Sequence, residues 1–152
     1  PFCGRHATGA GRQIEEEYVA NGQVQVAFFH FAFLGDESQW AAEAAECSGE
    51  QDAFWDYYDY LFSHQNGENQ GAFSIENLKS FAAEMDLDTK DFNECLDSGR
   101  YTALVQNMSN IARQLGVQST PTFAINGQGV VGAKDFSELA SIIDSFLTPT
   151  EP

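Results

Sequence analysis

The chain starts Pro1-Phe2-Cys3-Gly4, and Pro-Phe-Cys is the second half of a Cys-x-x-Cys spacing. Two thiols at that spacing where a helix begins can exchange a disulfide with other thiols. The thiolate is the nucleophile, and the unsatisfied N–H groups of a helix start favour negative charge. Cys3 stands where the second sulfur of such a pair stands. A second candidate element lies far along the chain, at Ser119-Thr120-Pro121-Thr122-Phe123. A trans proline fits poorly at a strand entrance, so the Thr120-Pro121 bond is expected to be cis and close to Cys3. His6 sits one helical turn from Cys3, and contact with the site and a structural role are both open to it. His6, His30 and His64 lack metal-ligand spacing, so no metal site is expected, and no phosphate loop or nucleophile elbow is present. His30 interrupts an apolar run and reads as a satisfied core residue.

Positioning these groups takes a defined order of elements. Residues 3–20 read as a helix weakened or kinked by Gly9 and Gly11 and ended at Asn21-Gly22. Residues 23–33 read as a strand apolar on both faces, with Val24, Val26 and Phe28 one way and Phe29, Phe31 and Phe33 the other. Such a strand is an interior one covered by helices. Residues 36–115 read as all helix. Ser74 and Asp88 are candidate N-caps. The aromatics from Trp55 to Phe62 read as core, and Leu104, Met108, Ile111 and Leu115 recur at helical spacing. Thr122 to Ile125 and Gly129 to Gly132 form a hairpin across Asn126-Gly127. A closing helix over 135–147 turns Phe136, Leu139, Ile143 and Phe146 inward.

At 152 residues the chain reads as one domain, 1–152, large enough for a real core. The net charge of −16 argues against nucleic acid and anionic membranes as partners. The charge is uneven. Residues 1–34 carry Arg5 and Arg12 against Glu15, Glu16 and Glu17, whereas residues 35–98 carry sixteen acids against Lys79 and Lys90. The segment with Cys3 is therefore nearly neutral, which suits a surface that docks varied proteins.

A helix followed by an interior strand needs a preceding strand to complete a right-handed β-α-β unit. That strand, with the first cysteine of the pair and a secretion signal, is expected upstream of Pro1. The chain then reads as the remainder of a larger domain, cut within Cys-Pro-Phe-Cys and unable to cycle a catalytic disulfide.

Several blocks in order carry a family resemblance: Phe2-Cys3, Glu15-Glu16-Glu17-Tyr18, residues 41–47, 54–62 and 92–99, Leu115-Gly116-Val117, Thr120-Pro121-Thr122-Phe123 and Ile125-Asn126-Gly127. Together they resemble the DsbA-like, BdbD-type branch of the thioredoxin superfamily across nearly the whole chain. The resemblance implies an α/β, three-layer thioredoxin fold with a helical insertion over about 37–100, its first central strand missing. It implies an extracytoplasmic thiol:disulfide oxidoreductase at the periplasm or cell surface. Its partners would be reduced or unfolded proteins and a membrane redox partner. No cofactor is implied. Cys3 matches the second, more buried active cysteine, Pro121 the cis-proline, and Thr120 the residue whose backbone pairs with substrate. Phe2 would complete the substrate-contacting surface, and Cys47 and Cys95 would form a structural disulfide. The dipeptide Pro-Phe lacks an imidazole, which implies a less extreme potential than that of strongly oxidising relatives. Two other functions stay open: a redox-inactive thioredoxin-fold binding or structural domain, and a glutathione-transferase-like isomerase.

Overall fold

Thr8 and Gly9 split the expected first helix into α1 (Phe2–Ala7) and α2 (Ala10–Ile14), and a π-helical turn over Glu15–Val19 continues α2. A Cβ on Gly9 would come within 2.8 Å of the Arg5 carbonyl oxygen, so a side chain there would force the backbone to move. The structure is a computed structural model and describes residues 1–147. The chain forms two compact units, one of residues 1–28 with those from 117 onward, the other of residues 29–116. The second unit contains the stretch 37–100.

In the first unit, β1 (Thr122–Ile125) and β2 (Gln128–Val131) pair antiparallel, with Thr122 opposite Val131 and Ile125 opposite Gln128. The turn between them holds Asn126 and Gly127 at φ of 46° and 89°. Two consecutive positive φ values match the twist of the flanking strands, which is why Asn-Gly marks such hairpins. The Gly132 N–H donates to the Pro121 carbonyl at 2.8 Å and carries the pairing one bond further. The helix α8 (Phe136–Leu147) closes the unit. Ala10, Ile14, Tyr18, Val130, Leu139 and Ile143 form its core. Phe136 is only partly buried and Phe146 is 42% exposed, so of the four residues expected to face inward only Leu139 and Ile143 are fully buried.

The second unit contains α3 (Asp36–Gly49), α4 (Phe54–Ser63), α5 (Ile75–Glu84), α6 (Thr89–Asp97) and α7 (Thr102–Gln114). Ser74 Oγ accepts from the Asn77 N–H, and Asp88 Oδ1 accepts from the N–H groups of Lys90 and Asp91. Each cap satisfies donors that have no partner inside the helix. Ala44, Cys47, Tyr57, Leu78, Phe92 and Cys95 lie at the centre of the core. Cys47 and Cys95 are disulfide-bonded, joining α3 to α6. The buried Glu37 carboxylate accepts from the N–H groups of Gly71 and Phe73, both at 2.8 Å, and so anchors the loop before α5. His30 is buried with Nε2 2.7 Å from Glu46 Oε1.

Three expectations need correction. Residues 24–33 run without a strand ladder. A strand needs a neighbour as well as an apolar pattern, and the sheet among the described residues has two strands, β1 and β2. Val24 N–H instead donates to the Tyr18 carbonyl, and Ala32 N–H to Ser109 Oγ. In α4 the fully buried aromatic is Tyr57, whose hydroxyl donates to the Leu78 carbonyl at 2.7 Å, while Trp55 is 42% exposed. Trp55, Tyr58 and Phe62 meet edge to face in succession along a partly exposed side of the helix. In α7 the buried face is Val105, Ser109 and Ala112; Leu104 and Ile111 are half-exposed and Leu115 is exposed. Small residues and a hydroxyl that serves Ala32 occupy the buried stripe, so the larger apolar residues point elsewhere.

Candidate functional site

Cys3 lies in the first turn of α1 as a free, half-buried thiol. Phe2 beside it is 58% exposed, and the Arg5 guanidinium lies over its ring at 5.5 Å. Arg5 Nη2 also donates to the Ala133 carbonyl at 3.3 Å, tying α1 to the loop before α8. Sequence reasoning did not single out Arg5, although it is the one permanent cation of α1.

The Thr120-Pro121 bond is cis. Pro121 is buried and Thr120 half-buried. The Thr122 hydroxyl donates to the Ser119 carbonyl at 2.7 Å and folds the loop back on itself ahead of β1. Two residues beyond the proline, the Phe123 ring packs on the His6 imidazole with centroids 4.6 Å apart. The helix that carries Cys3 and the strand that leaves the proline loop therefore meet through His6 and Phe123.

His6 is partly buried, and burial holds its imidazole below the ordinary value of 6.5, because desolvation disfavours the charged form. Its Nδ1 is fully buried without a hydrogen-bond partner. A cleft of about 300 Å³ opens beside the ring, lined by Arg5, His6, Gln13, Lys134, Asp135 and Phe136 among others. Lys134 is engaged with Glu138 at 3.1 Å, and that pairing holds the Glu138 carboxyl below its usual range.

Cys47 and Cys95 belong to the second unit, at 1% and 0% exposure. Sulfurs so buried and already bonded offer no access to a protein thiol. The described residues contain no group of three or more His, Cys, Asp or Glu placed to hold a metal. No helix among them is long and apolar enough to cross a membrane.

A family model described as Thioredoxin matches residues 1–145. The chain is 31% identical over 139 residues to "Probable disulfide bond formation protein D" of Bacillus anthracis, an alignment covering 89% of this chain and 63% of that protein. It is 31% identical over 152 residues to "Na(+)/H(+) antiporter NhaA 1" of Salinispora arenicola, across 99% of this chain but 22% of the antiporter. The crystal structure of oxidised BdbD from Bacillus subtilis superposes with a TM-score of 0.85 at 24% identity, covering 95% of this chain and 80% of BdbD. The fold is therefore thioredoxin-like with added helices. The chain spans about 63% of the length of the disulfide bond formation protein it matches.

Proposed function

The chain belongs to the Thioredoxin family, and from that membership we propose that it is a DsbA-like thiol:disulfide oxidoreductase with Cys3 as one of its exchanging sulfurs. One observation carries the reading. The half-buried free thiol of Cys3 shares a compact unit with the cis-Pro121 loop, while the other two cysteines are buried in a disulfide.

The chemistry is exchange through a mixed disulfide. A cysteine directly before Pro1 would be the sulfur that a substrate attacks or that attacks it, and Cys3 would resolve the product. The Cys3 thiolate forms the new S–S bond, the old one breaks, and the departing thiolate takes up a proton. Electrons pass between sulfurs, so the step needs no cofactor. Cis-Pro121 would present the Thr120 backbone to an extended substrate strand, and exposed Phe2 would add apolar contact. The substrates would be reduced or unfolded proteins, and a membrane redox partner would restore the oxidised state. The buried Cys47–Cys95 bridge favours an extracytoplasmic setting, at the periplasm or cell surface, where such bonds persist. We read residues 1–152 as one thioredoxin-like domain with the helical unit inserted in its sequence.

The test places a cysteine directly before Pro1 and measures oxidation of a reduced, unfolded protein. That form is expected to turn over, and its Cys3→Ala variant to stall as a mixed disulfide. The chain beginning at Pro1 is expected to form one mixed disulfide and stop. No exchange by the completed pair would leave the redox-inactive binding domain as the better reading.

A further inference from the structure

We propose that β2 pairs with the β2 of a second copy of this chain, edge to edge about a two-fold axis. The proposal concerns an edge far along the chain from Cys3 and is independent of the reading of that thiol.

The register of the hairpin fixes which backbone groups are free. The Gly132 N–H donates to the Pro121 carbonyl, so residues 121 and 132 are a hydrogen-bonded pair. Such pairs recur at every second position of an antiparallel ladder, which makes Phe123–Val130 and Ile125–Gln128 the next two. The N–H and C=O groups of Gly129 and Val131 therefore point away from β1. They have no hydrogen-bond partner among the described residues. Both residues are exposed, Val131 to 61%. Side chains alternate along a strand. Val130 is buried in the core, so Val131 and the bare Gly129 lie on the opposite face.

Sheet edges in folded proteins are blunted by charge, proline or a bulge. The β2 sequence Gln-Gly-Val-Val has no charge and no proline, and its residues pair one to one with β1. Residues 117–133 carry no charged side chain, in a chain of net charge −16. A second copy is the occupant that this edge fits. Two such acidic chains repel wherever their acids meet, and the edge brings none together. The shape of the edge agrees. A Cβ built on Gly129 meets nothing within 4 Å, so the space beside it is open. Antiparallel pairing centred on Val130 sets Gly129 opposite Val131 of the second copy, and the two-fold axis repeats the match. Each valine then covers the bare backbone of a glycine. Both Gly–Val pairs are of the hydrogen-bonded kind, in which two residues exchange two N–H···O=C bonds.

Pairing would double the two-stranded sheet of each chain. A lone two-stranded hairpin is marginal in water, and further strands stabilise it. The contact is one short strand from each copy, so the association belongs to the weak, transient class. Salt should strengthen it, because screening relieves the repulsion between two acidic chains.

The experiment is sedimentation equilibrium of the full chain from about 10 µM to 1 mM, the span that a weak contact calls for. The Cys3 thiol is alkylated so that no interchain disulfide forms. The mean mass should rise with concentration from 16.7 kDa toward twice that value, and rise further at high salt. Val131→Asp should weaken association about tenfold, because the two carboxylates so introduced lie diagonally across the pair, roughly 7–8 Å apart. Gln65→Asp adds the same charge at an exposed position of the helical unit and should change association less than about twofold. Should Val131→Asp fail to fold, NMR amide exchange in the wild-type chain decides instead. The Gly129 and Val131 amides should exchange more slowly at high concentration. Those of Thr122 and Ala124, which point away from β2 on the outer edge of β1, should not change. A chain that stays monomeric throughout overturns the proposal. A dimer in which Gly129 and Val131 keep their monomer exchange rates, or one that salt dissociates, overturns it as well.

Discussion

The two units differ in how they hold their cysteines and their buried charges. In the helical unit the buried charges are satisfied: Glu37 accepts two backbone N–H bonds, His30 meets Glu46, and Glu43 accepts from Gln39 and Thr102. Its cysteines are joined. The first unit keeps a free thiol, and among the described residues each unit leaves one buried polar atom without a partner, His6 Nδ1 in the first and Asn93 Oδ1 in the second. Charge divides the same way, with sixteen acids against four cations in residues 29–116 and seven acids against three cations in the rest. The contrast teaches that a buried, bridged cysteine pair serves as a covalent staple of the helical unit, while the one unbridged cysteine among the described residues lies in the other unit. A sulfur already bonded and buried has no thiolate to offer, whereas Cys3 is a free thiol.

The largest test of this contrast removes the bridge. Replacing Cys47 and Cys95 together with Ala should cost about 4 kcal/mol, the chain-entropy value for a loop of this length, read by urea unfolding. The exchange rate of Cys3 in the still-folded protein should not change. A slowed Cys3 would break the separation between the units.

Glu37→Ala comes next. It orphans the N–H groups of Gly71 and Phe73 and should cost about 2 kcal/mol. Hydrogen exchange should speed up in residues 29–116 and remain unchanged at α1, β1 and β2.

A pH effect should belong to the first unit. Because the folded His6 pKa lies below its ordinary 6.5, the unfolded chain binds the proton more readily. Its contribution is fully present above pH 6.5 and is lost as the pH falls through the folded value. Unfolding measured between pH 7.5 and 5 should show this loss in wild type and a shallower one in His6→Asn. Equal slopes would refute it.

The smallest effect on stability is expected from Cys3→Ser, within about 0.5 kcal/mol because the site is half-exposed. The same change should abolish all disulfide exchange by the chain. A large loss of stability would instead make Cys3 a core residue and erase the distinction between the units.

Local chemistry was legible in the sequence wherever neighbours along the chain were enough to decide the outcome. Asn126-Gly127 specified its turn, Ser74 and Asp88 their caps, and Gly9 the break after α1. Each depends on backbone preference or on donors two or three residues away. The ordered blocks around Cys3 and Pro121 also carried the family.

Tertiary structure alone decided the rest. The pattern of residues 23–33 called for a strand, but a ladder depends on a neighbour, and a chain's own alternation cannot supply one. In α7, Leu104, Met108, Ile111 and Leu115 define one helical stripe and Val105, Ser109 and Ala112 another. Only the packing of the helices chose the second, because close approach favours small side chains. Tyr57 rather than Trp55 is buried because its hydroxyl finds the Leu78 carbonyl. The sequence placed His6 one turn from Cys3. That Gly11 and Phe123 hold its ring with Nδ1 buried and unpaired depends on residues 5 and 117 positions away, and so on the folded unit.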